Sequence, residues 1–590
     1  MKKILCILST LLLIAACTKP EIPSYYFDKG DDDGPDTPVE HEVWNNINGT
    51  AIDKGANAVG LVSDKDTGLG IPGVKVSDGY TFTVTDGNGV YQFNANRYTR
   101  NIYISIPAEY KVPVNPETNI PLFYSTAKFY RKVMNRNDFT LEKLPAVEND
   151  WTFIAVGDPQ CNTVDEHDRY VTETMADIVR SVNSKQEEGK YMNAYAMTLG
   201  DIIEDSPWIW PMMAESMSNV KVRQGYLPFF QCIGNHDHNA SYESAYESIN
   251  SYIEQFGPVD YSFDRGKVHI VVMDNTIVKE NKKTTWGYDG GLTDLQWKWL
   301  QKDLELVENK EEKMVIFACH IPFRYGVEAD GACVSFNHHY ADVLNILTQF
   351  HEAHLMIGHT HYTHNYIHSR YVCGSGEPLY EHIHCAACGA WWAGNLSAAG
   401  SPNGYTVYEI RGNEMYNWVA KGTNMDDNTA QMRVYNGNQT YGQVIGDKDY
   451  TFSWTAGGYM NQSSESTRSS TYRRGLPELK DCLIAAIWGD DERYWRVDLE
   501  WQGRTYPMQR VKKSVADMCV SAWYRTVLNK STVTWSKDLN TYWYVSIPGL
   551  DPATARGWTI HAYQTIPGSG VVNHYTCTDR LQVDFTGFAH

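Results

Sequence analysis

Long apolar runs, excess basic charge and a dense cysteine pattern are all missing from this chain, and each shortage removes a class of protein. The one apolar stretch near the amino terminus, residues 4–14, is too short to span a bilayer as a permanent helix, and no other stretch is long and apolar enough to cross one. Lysine and arginine number 51 against 71 aspartates and glutamates, giving a net charge of -20. No nucleic-acid polymer is expected as a partner, because phosphate backbones are held by cations that release counterions. A small phosphorylated substrate held through metal ions is compatible with that charge. The 12 cysteines are scattered. Cys385-Ala386-Ala387-Cys388 has half the spacing of a zinc knuckle, but no second pair follows, so it reads as a disulfide or as free buried thiols.

What is present divides the chain into units, and at about 150 residues per domain its length suggests three or four. Met1-Lys2-Lys3, the apolar run and Ala15-Ala16-Cys17 fit a secretory signal, and the small residues before the cysteine resemble the lipobox of bacterial lipoproteins. That resemblance implies a signal peptide over 1–17, cleavage before Cys17 and lipidation of that residue. The protein would then sit in the bacterial cell envelope, periplasmic or at the outer-membrane surface, held to the membrane by its lipid alone. Residues 18–48, with Asp31-Asp32-Asp33-Gly34-Pro35-Asp36, bury too little apolar surface to offset their ordering entropy and read as a flexible acidic tether. Residues 49–146 carry short alternating runs broken by Gly, Asp and Pro, with strands expected over 60–63, 73–79 and 85–93. They resemble the carboxypeptidase-regulatory-like β-sandwich and contain no cluster of metal-capable side chains.

At Trp151 the texture changes to strands alternating with helical stretches, the mark of an α/β layered domain. A strand over 152–156 ends in Gly157-Asp158-Pro159-Gln160. A helix over about 170–183 leads to a strand over 194–199 ending in Gly200-Asp201. The apolar run 227–233 stops at Gly234-Asn235-His236-Asp237, a strand over 313–319 stops at His320-Ile321-Pro322, and 354–357 leads into Gly358-His359-Thr360-His361. Five strand ends therefore carry metal-capable side chains, and in open α/β sheets the carboxyl ends of parallel strands are where ligands bind. Other histidines of this half (His338, His339, His351, His364, His368, His382, His384) fit no such pattern and read as surface or hydrogen-bonded residues.

The order Gly-Asp-x-Gln, Gly-Asp, Gly-Asn-His-Asp, His-x-Pro, Gly-His-x-His resembles the calcineurin-like metallophosphoesterases over roughly residues 151–421. The resemblance implies a four-layer α/β/β/α sandwich over 147–424, flanked by N-terminal and C-terminal β-rich domains, and two divalent metal ions, Mn, Fe or Zn. One metal would take Asp158, Gln160, Asp201 and His361, and the other Asp201, Asn235, His320 and His359, with Asp201 as the bridge. Two cations about 3.5–4 Å apart need such a bridging anion together with harder N and O donors. A hydroxide between the metals would attack phosphorus. His236, held by Asp237 or Asp201, would stabilise the phosphoryl oxygens and protonate the leaving group. Gln160 stands where most members carry His, so the first metal would bind more loosely or favour harder ions, or else Gln160 hydrogen-bonds a ligand without ligating. Purple acid phosphatases carry Tyr three places after the bridging Asp; here Glu204 stands there, and no ferric-tyrosinate colour is expected.

Downstream, Gly389-Ala390-Trp391-Trp392-Ala393-Gly394 resembles the close of the catalytic domain in a bacterial subgroup with both flanking domains. Trp391 and Trp392 are expected to wall the substrate cleft and stack on a sugar or base, or else to pack against the C-terminal domain. Residues 425–590 return to β texture, with strands expected over 484–488, 494–501 and 541–547. The expected activity is hydrolysis of a phosphodiester or phosphomonoester, small or linked to a glycan or lipid, with the diester favoured. The alternative is a surface glycan-binding or scaffold lipoprotein with an inactive phosphoesterase core, which the nearly complete set of ligand types opposes.

Overall fold

The computed structural model describes residues 42–581 except 192, 224, 243, 280–286, 326–332, 398, 426–430, 439, 446–447, 454–478, 513–516, 518–519, 521–541 and 580. The expected signal peptide, Cys17 and residues 18–41 of the tether lie outside the described residues; at the tether's expected end Asn46–Ile47 pairs with Thr50–Ala51. Among the described residues no helix is long and apolar enough to cross a membrane.

The N-terminal unit is a small β-sandwich. Ala58–Asp64 pairs with Val90–Phe93 on one side and with Asn135–Arg136 and Phe139–Leu141 on the other, and Lys75–Ser77 sits between Phe82–Val84 and Tyr103–Ile104. Val62, Val76 and Ile104 are inward and fully buried, as the alternation of a half-buried strand requires.

The central unit contains two sheets. In the first, β1 (Asp150–Val156), β2 (Ala194–Leu199) and β3 (Phe229–Cys232) run parallel, and β10 (Gly404–Arg411) and β11 (Glu414–Gly422) close it antiparallel, in the order β3-β2-β1-β10-β11. The second has the order β4-β5-β6-β7-β9-β8, with β4 (Tyr261–Arg265), β5 (Val268–Val272), β6 (Met314–Cys319), β7 (Glu352–Ile357), β8 (His364–Val372) and β9 (Pro378–Ile383). Strands β5, β6, β7 and β9 are parallel; β4 and β8 are antiparallel edges.

The layering follows from the two-residue period of a strand. Phe153 and Ala155 of β1 enter the core shared with the second sheet, while Ile154 and Val156 enter a separate core with the helical side. Phe230 of β3 stacks on Phe263 of β4 at 4.0 Å between ring centroids, across the two sheets. On the outside of the first sheet lie α1 (Val164–Arg169), a π-helical segment Tyr170–Met175 and α2 (Ala176–Glu187), which buries Ile178 and Val182. Over the second lie α3 (Asp294–Glu305), burying Trp299, Leu300 and Leu304, and α4 (Tyr340–Leu347), burying Val343, Leu344 and Leu347. Thr163 with Glu166 and Thr293 with Gln296 form capping boxes that start α1 and α3. The architecture is therefore an α/β/β/α sandwich with β-rich units before and after it. The helix expected over 170–183 extends from 164 to 187, because the capping box at Thr163 starts α1 six residues earlier and the π-helical segment carries the chain into α2.

The C-terminal unit pairs a sheet of β12 (Met432–Asn436), β13 (Leu483–Ile487), β17 (Tyr542–Val545) and β16 (Gln509–Arg510) with one of β15 (Arg504–Pro507), β14 (Trp495–Trp501), β18 (Trp558–Thr565) and β19 (Val572–Thr578). Val434, Leu483, Val497, Leu499, Trp558 and Ile560 fill its core. It is pinned to the second central sheet by buried polar contacts: the Tyr380 hydroxyl donates to Asp491 at 2.6 Å, and Asp490, 3.3 Å from His364 Nδ1, accepts from Arg510 at 2.7 Å.

Candidate metal centre

Three of the five turns that carry expected ligands, those after β1, β2 and β7, are bent by residues in the left-handed region. Asp158, Gln160, Asp201, His359 and His361 all have φ between 40° and 72°, a conformation that costs a residue with a Cβ about 1–2 kcal/mol. Their side chains are thereby turned away from the strand direction toward one point, and the two sheets contribute jointly: Asp158, Gln160, Asp201 and Asn235 follow β1, β2 and β3, and His320, His359 and His361 follow β6 and β7. Close approach is possible because Gly234 has no side chain; a Cβ there would lie 2.2 Å from the Asp201 nitrogen and 2.3 Å from its Oδ1.

The donor atoms lie close together. His320 Nε2 is 3.0 Å from Asp201 Oδ2, 3.2 Å from Asn235 Oδ1 and 3.2 Å from His359 Nδ1. Asp201, His320 and His359 each offer one ligand atom within 4.8 Å of the others. Gln160 Nε2 is 3.3 Å from Asp201 Oδ2, His361 Nε2 is 3.6 Å from Asp158 Oδ1, and the His359 backbone N–H donates to Asp158 at 2.9 Å. His320 Nδ1 donates to the Leu199 carbonyl at 2.7 Å, which leaves the Nε2 lone pair facing the cluster.

Burial and the clustered carboxylates shift the titration of the expected ligands. Burial pushes the Asp158 carboxyl up, and the neighbouring Asp201 adds to this; Asp201 itself stays low despite burial because His320 and His236 oppose it. Burial alone would lower His320, yet Asp201 and Asp158 raise it to about 9; His361, with less compensation, falls to about 4. His361 Nδ1 is buried without a protein partner. Two carboxylates, three imidazoles and two amides packed this closely suit a divalent metal of the borderline class.

Residues 152–363 match the model of the calcineurin-like phosphoesterase family, residues 57–144 that of the N terminal of calcineurin-like phosphoesterase, and residues 381–563 that of the C terminal. The chain belongs to the calcineurin-like phosphoesterases. Asp201, His320 and His359, the three side chains best placed to share a metal ion, all lie within the segment that matches the phosphoesterase model. No curated protein matches the chain. Solved structures that match include a purple acid phosphatase isolated from yellow lupin (Lupinus luteus) seeds, at 11% identity and a TM-score of 0.30, covering 46% of this chain and 53% of that one. A 5'-nucleotidase from Candida albicans matches at 12% identity and a TM-score of 0.26, covering 41% and 47%. The chain spans about half the length of each.

Other expectations for this phosphoesterase need correction. Asp237 does not orient His236. It is buried and accepts three backbone N–H bonds, from Ile202 at 2.8 Å, Ile203 at 3.0 Å and Gly234 at 2.8 Å, tying the turn after β2 to the turn after β3. The carboxylate beside the His236 side chain is Asp205 instead, an ion pair with Nδ1 3.1 Å from Oδ2 but without hydrogen-bond alignment, while the His236 backbone N–H donates to Asp201 at 2.8 Å. Burial alone would lower His236, but Asp201 and Asp205 push it up to about 10. Asp205 sits one place after Glu204 in a left-handed turn, φ 51°, and no spacing in the chain marks it.

Trp392 does not wall a cleft. It is 6% exposed, donates from Nε1 to the Pro159 carbonyl at 2.9 Å and lies under Arg169, 4.9 Å from the ring. Trp391 lies beside the metal ligands, its ring 4.6 Å from that of His361. Tyr288 also approaches, edge-on to His359 at 6.0 Å. Cys385 and Cys388 are free, buried thiols; the Cys388 S–H donates to Gln160 Oε1 at 3.7 Å.

Proposed function

We propose that this chain hydrolyses a phosphodiester or phosphomonoester outside the cytoplasm at a centre of two divalent ions, with Asp158, Gln160, Asp201 and His361 around one and Asp201, Asn235, His320 and His359 around the other. The observation that carries the reading is that side chains from five strand ends in two sheets gather around Asp201, with Asp201, His320 and His359 each offering a ligand atom within 4.8 Å of the others. When bound, such ions lower the pKa of coordinated water and neutralise charge on the phosphoryl group.

The chain's own residues do the rest. Asp201 supplies the shared anionic oxygen, and Asn235 adds a neutral donor that leaves the local charge positive enough to attract a phosphoester. His236, beside Asp205 at Nδ1, would use Nε2 to hydrogen-bond a phosphoryl oxygen and give a proton to the leaving alkoxide. Trp391, beside His361, provides an aromatic face for the alcohol portion, which favours a diester with a ring-bearing group. The signal-like segment ending at Cys17 supports an envelope location with a lipid anchor.

Stripping metal and adding back Mn²⁺, Zn²⁺ or Fe²⁺ tests the reading. Add-back should raise the unfolding midpoint, since an ion at 100 times its Kd stabilises by about 2.7 kcal/mol, and should restore turnover of nitrophenyl mono- or diesters. Wild-type turnover in Asp201→Asn or Asn235→Ala would overturn it.

A further inference from the structure

Two aromatic rings stand at the metal centre, each beside a different imidazole of Gly358-His359-Thr360-His361. Tyr288 lies on the strand Gly287–Gly291, which pairs with Thr276–Lys279 and with Phe336–His338. Its ring is edge-on to the His359 imidazole, 6.0 Å between centroids at 85°, and Tyr288 remains 38% exposed beside a ligand of a buried centre. The next residue, Asp289, turns to the other face of the strand, where Lys279 donates to it.

The strand cannot slide. A Cβ on Gly290 would lie 2.5 Å from the Ser335 carbonyl oxygen and 2.8 Å from Ile321 Cγ2, so only glycine lets the strand press on the turn that follows His320. Asn275 ties the two together: its carbonyl accepts the Gly291 N–H at 3.0 Å, its Nδ2 donates to the Ile321 carbonyl at 2.7 Å, and its Oδ1 accepts the His320 and Ile321 N–H groups. Tyr288 is thereby held rigidly to a ligand turn, as a group that selects a substrate must be.

Trp391 is fixed in the same manner to another turn. The loop after β9 is bound to the turn after β1, with the Ala387 and Cys388 N–H groups donating to the Gly157 and Asp158 carbonyls at 2.7 and 3.2 Å. Trp391 itself has φ 47°, a left-handed conformation that a bulky residue rarely adopts and that clusters at functional sites. Its half-buried ring lies 4.6 Å from that of His361.

We propose that Tyr288 is a second substrate-contacting wall, and that with Trp391 it selects phosphodiesters bearing a ring on each ester oxygen. A monoester has one organic substituent and covers one ring; a diester has two. The proposal rests on the hydrolase reading and names its substrate class. The contact is assigned to the Tyr288 ring face, since flat aromatic surface is covered best by a flat or apolar partner.

Binding of diphenyl phosphate and dimethyl phosphate to the Mn²⁺-loaded full chain, by calorimetry, reads the walls without turnover. At about tenfold for each ring covered, diphenyl phosphate should bind roughly a hundredfold tighter. Tyr288→Ala should cut that preference about tenfold, and Tyr288→Phe should keep it. In turnover, the kcat/KM ratio of bis(4-nitrophenyl) phosphate to methyl 4-nitrophenyl phosphate should follow the same order across the three proteins. Equal binding of the two diesters by the wild type, a preference unchanged in Tyr288→Ala, or one lost equally in Tyr288→Phe would overturn the wall. Turnover of neither nitrophenyl ester by the wild type would overturn the hydrolase reading instead, with the binding preference still deciding the role of Tyr288.

Discussion

Replacing Asp237 by Asn separates a structural brace from a catalytic partner at the most conspicuous motif of the chain. In Gly234-Asn235-His236-Asp237 the carboxylate accepts the Ile202 and Ile203 N–H groups on Oδ1 and the Gly234 N–H on Oδ2. An Asn of the same shape keeps the first two bonds through its carbonyl, without the charge. Its NH₂ then faces the Gly234 N–H at 2.8 Å, donor against donor. Losing one charge-assisted bond and leaving a buried donor unsatisfied costs about 2–3 kcal/mol, or roughly 5–10 °C in the unfolding midpoint. The turns carrying Asp201 and Asn235 would loosen together, so metal content should fall with stability. His236→Ala should do the reverse: midpoint and metal content hold, while turnover drops about 10²–10⁴-fold as the acid is lost. Differential scanning calorimetry, metal analysis and single-turnover kinetics on both variants decide the matter. An Asp237→Asn protein that melts with wild type, retains its metal and slows as much as His236→Ala would refute the brace and restore Asp237 to the chemistry.

Two further outcomes follow from contacts at the metal centre and at the domain seam. Gly234→Ala has an allowed backbone, φ -120°, so its effect is purely steric: the new Cβ must move about 1 Å away from Asp201, and a displacement of that size near reacting groups costs about 10²-fold in turnover; wild-type activity and metal content in this variant would contradict the packing described. At the seam, Asp303 is fully buried and accepts from Lys75 at 2.7 Å, Ser262 at 2.8 Å and His269 at 2.8 Å. Despite burial, Lys75 and His269 hold its carboxyl below the ordinary range, so its stabilisation is present above the unfolded value near 3.9 and is lost as pH falls through the lower folded value. Asp303→Asn should therefore cost about 3–5 kcal/mol at pH 6 and progressively less below pH ~4, read from urea midpoints; a deficit that does not shrink in acid would exclude this pair as the source.

Local pattern made the strand ends legible, and long-range geometry hid the rest. The runs at 194–199 and 314–319 are apolar almost throughout because parallel strands are buried on both faces, and the residues that stop them, Gly200 and His320, are visible in one dimension. That the five ends divide between two sheets is not visible, since pairing β5 with β6 or β1 with β10 depends on contacts far apart in the chain. The same holds for Asp205, which reaches His236 only through a left-handed turn, and for Lys75 and Asp303, which meet across 228 positions. Trp392 was ambiguous by type, because an indole beside a site is either a wall or a wedge. Its hydrogen bond to Pro159, inside the Asp158 to Gln160 turn, makes it a wedge beneath the metal ligands.

Strain and support at the centre belong to one argument. Five of the seven expected ligands sit in left-handed conformations that isolated chains of these residue types avoid. Such conformations persist only where surroundings over-determine them, and those surroundings are the residues sequence reasoning misassigned or missed. Asp237 locks the turn after β2, Trp392 props the turn after β1, and Asn275 accepts the His320 and Ile321 N–H groups at 3.1 and 2.9 Å to fix the turn after β6. Each brace is a buried polar side chain satisfied by backbone from another strand end, so it cannot be recognised until the two sheets have met. The ligands are legible because chemistry restricts their types; the braces are not, because any residue able to reach the right N–H group or carbonyl would serve.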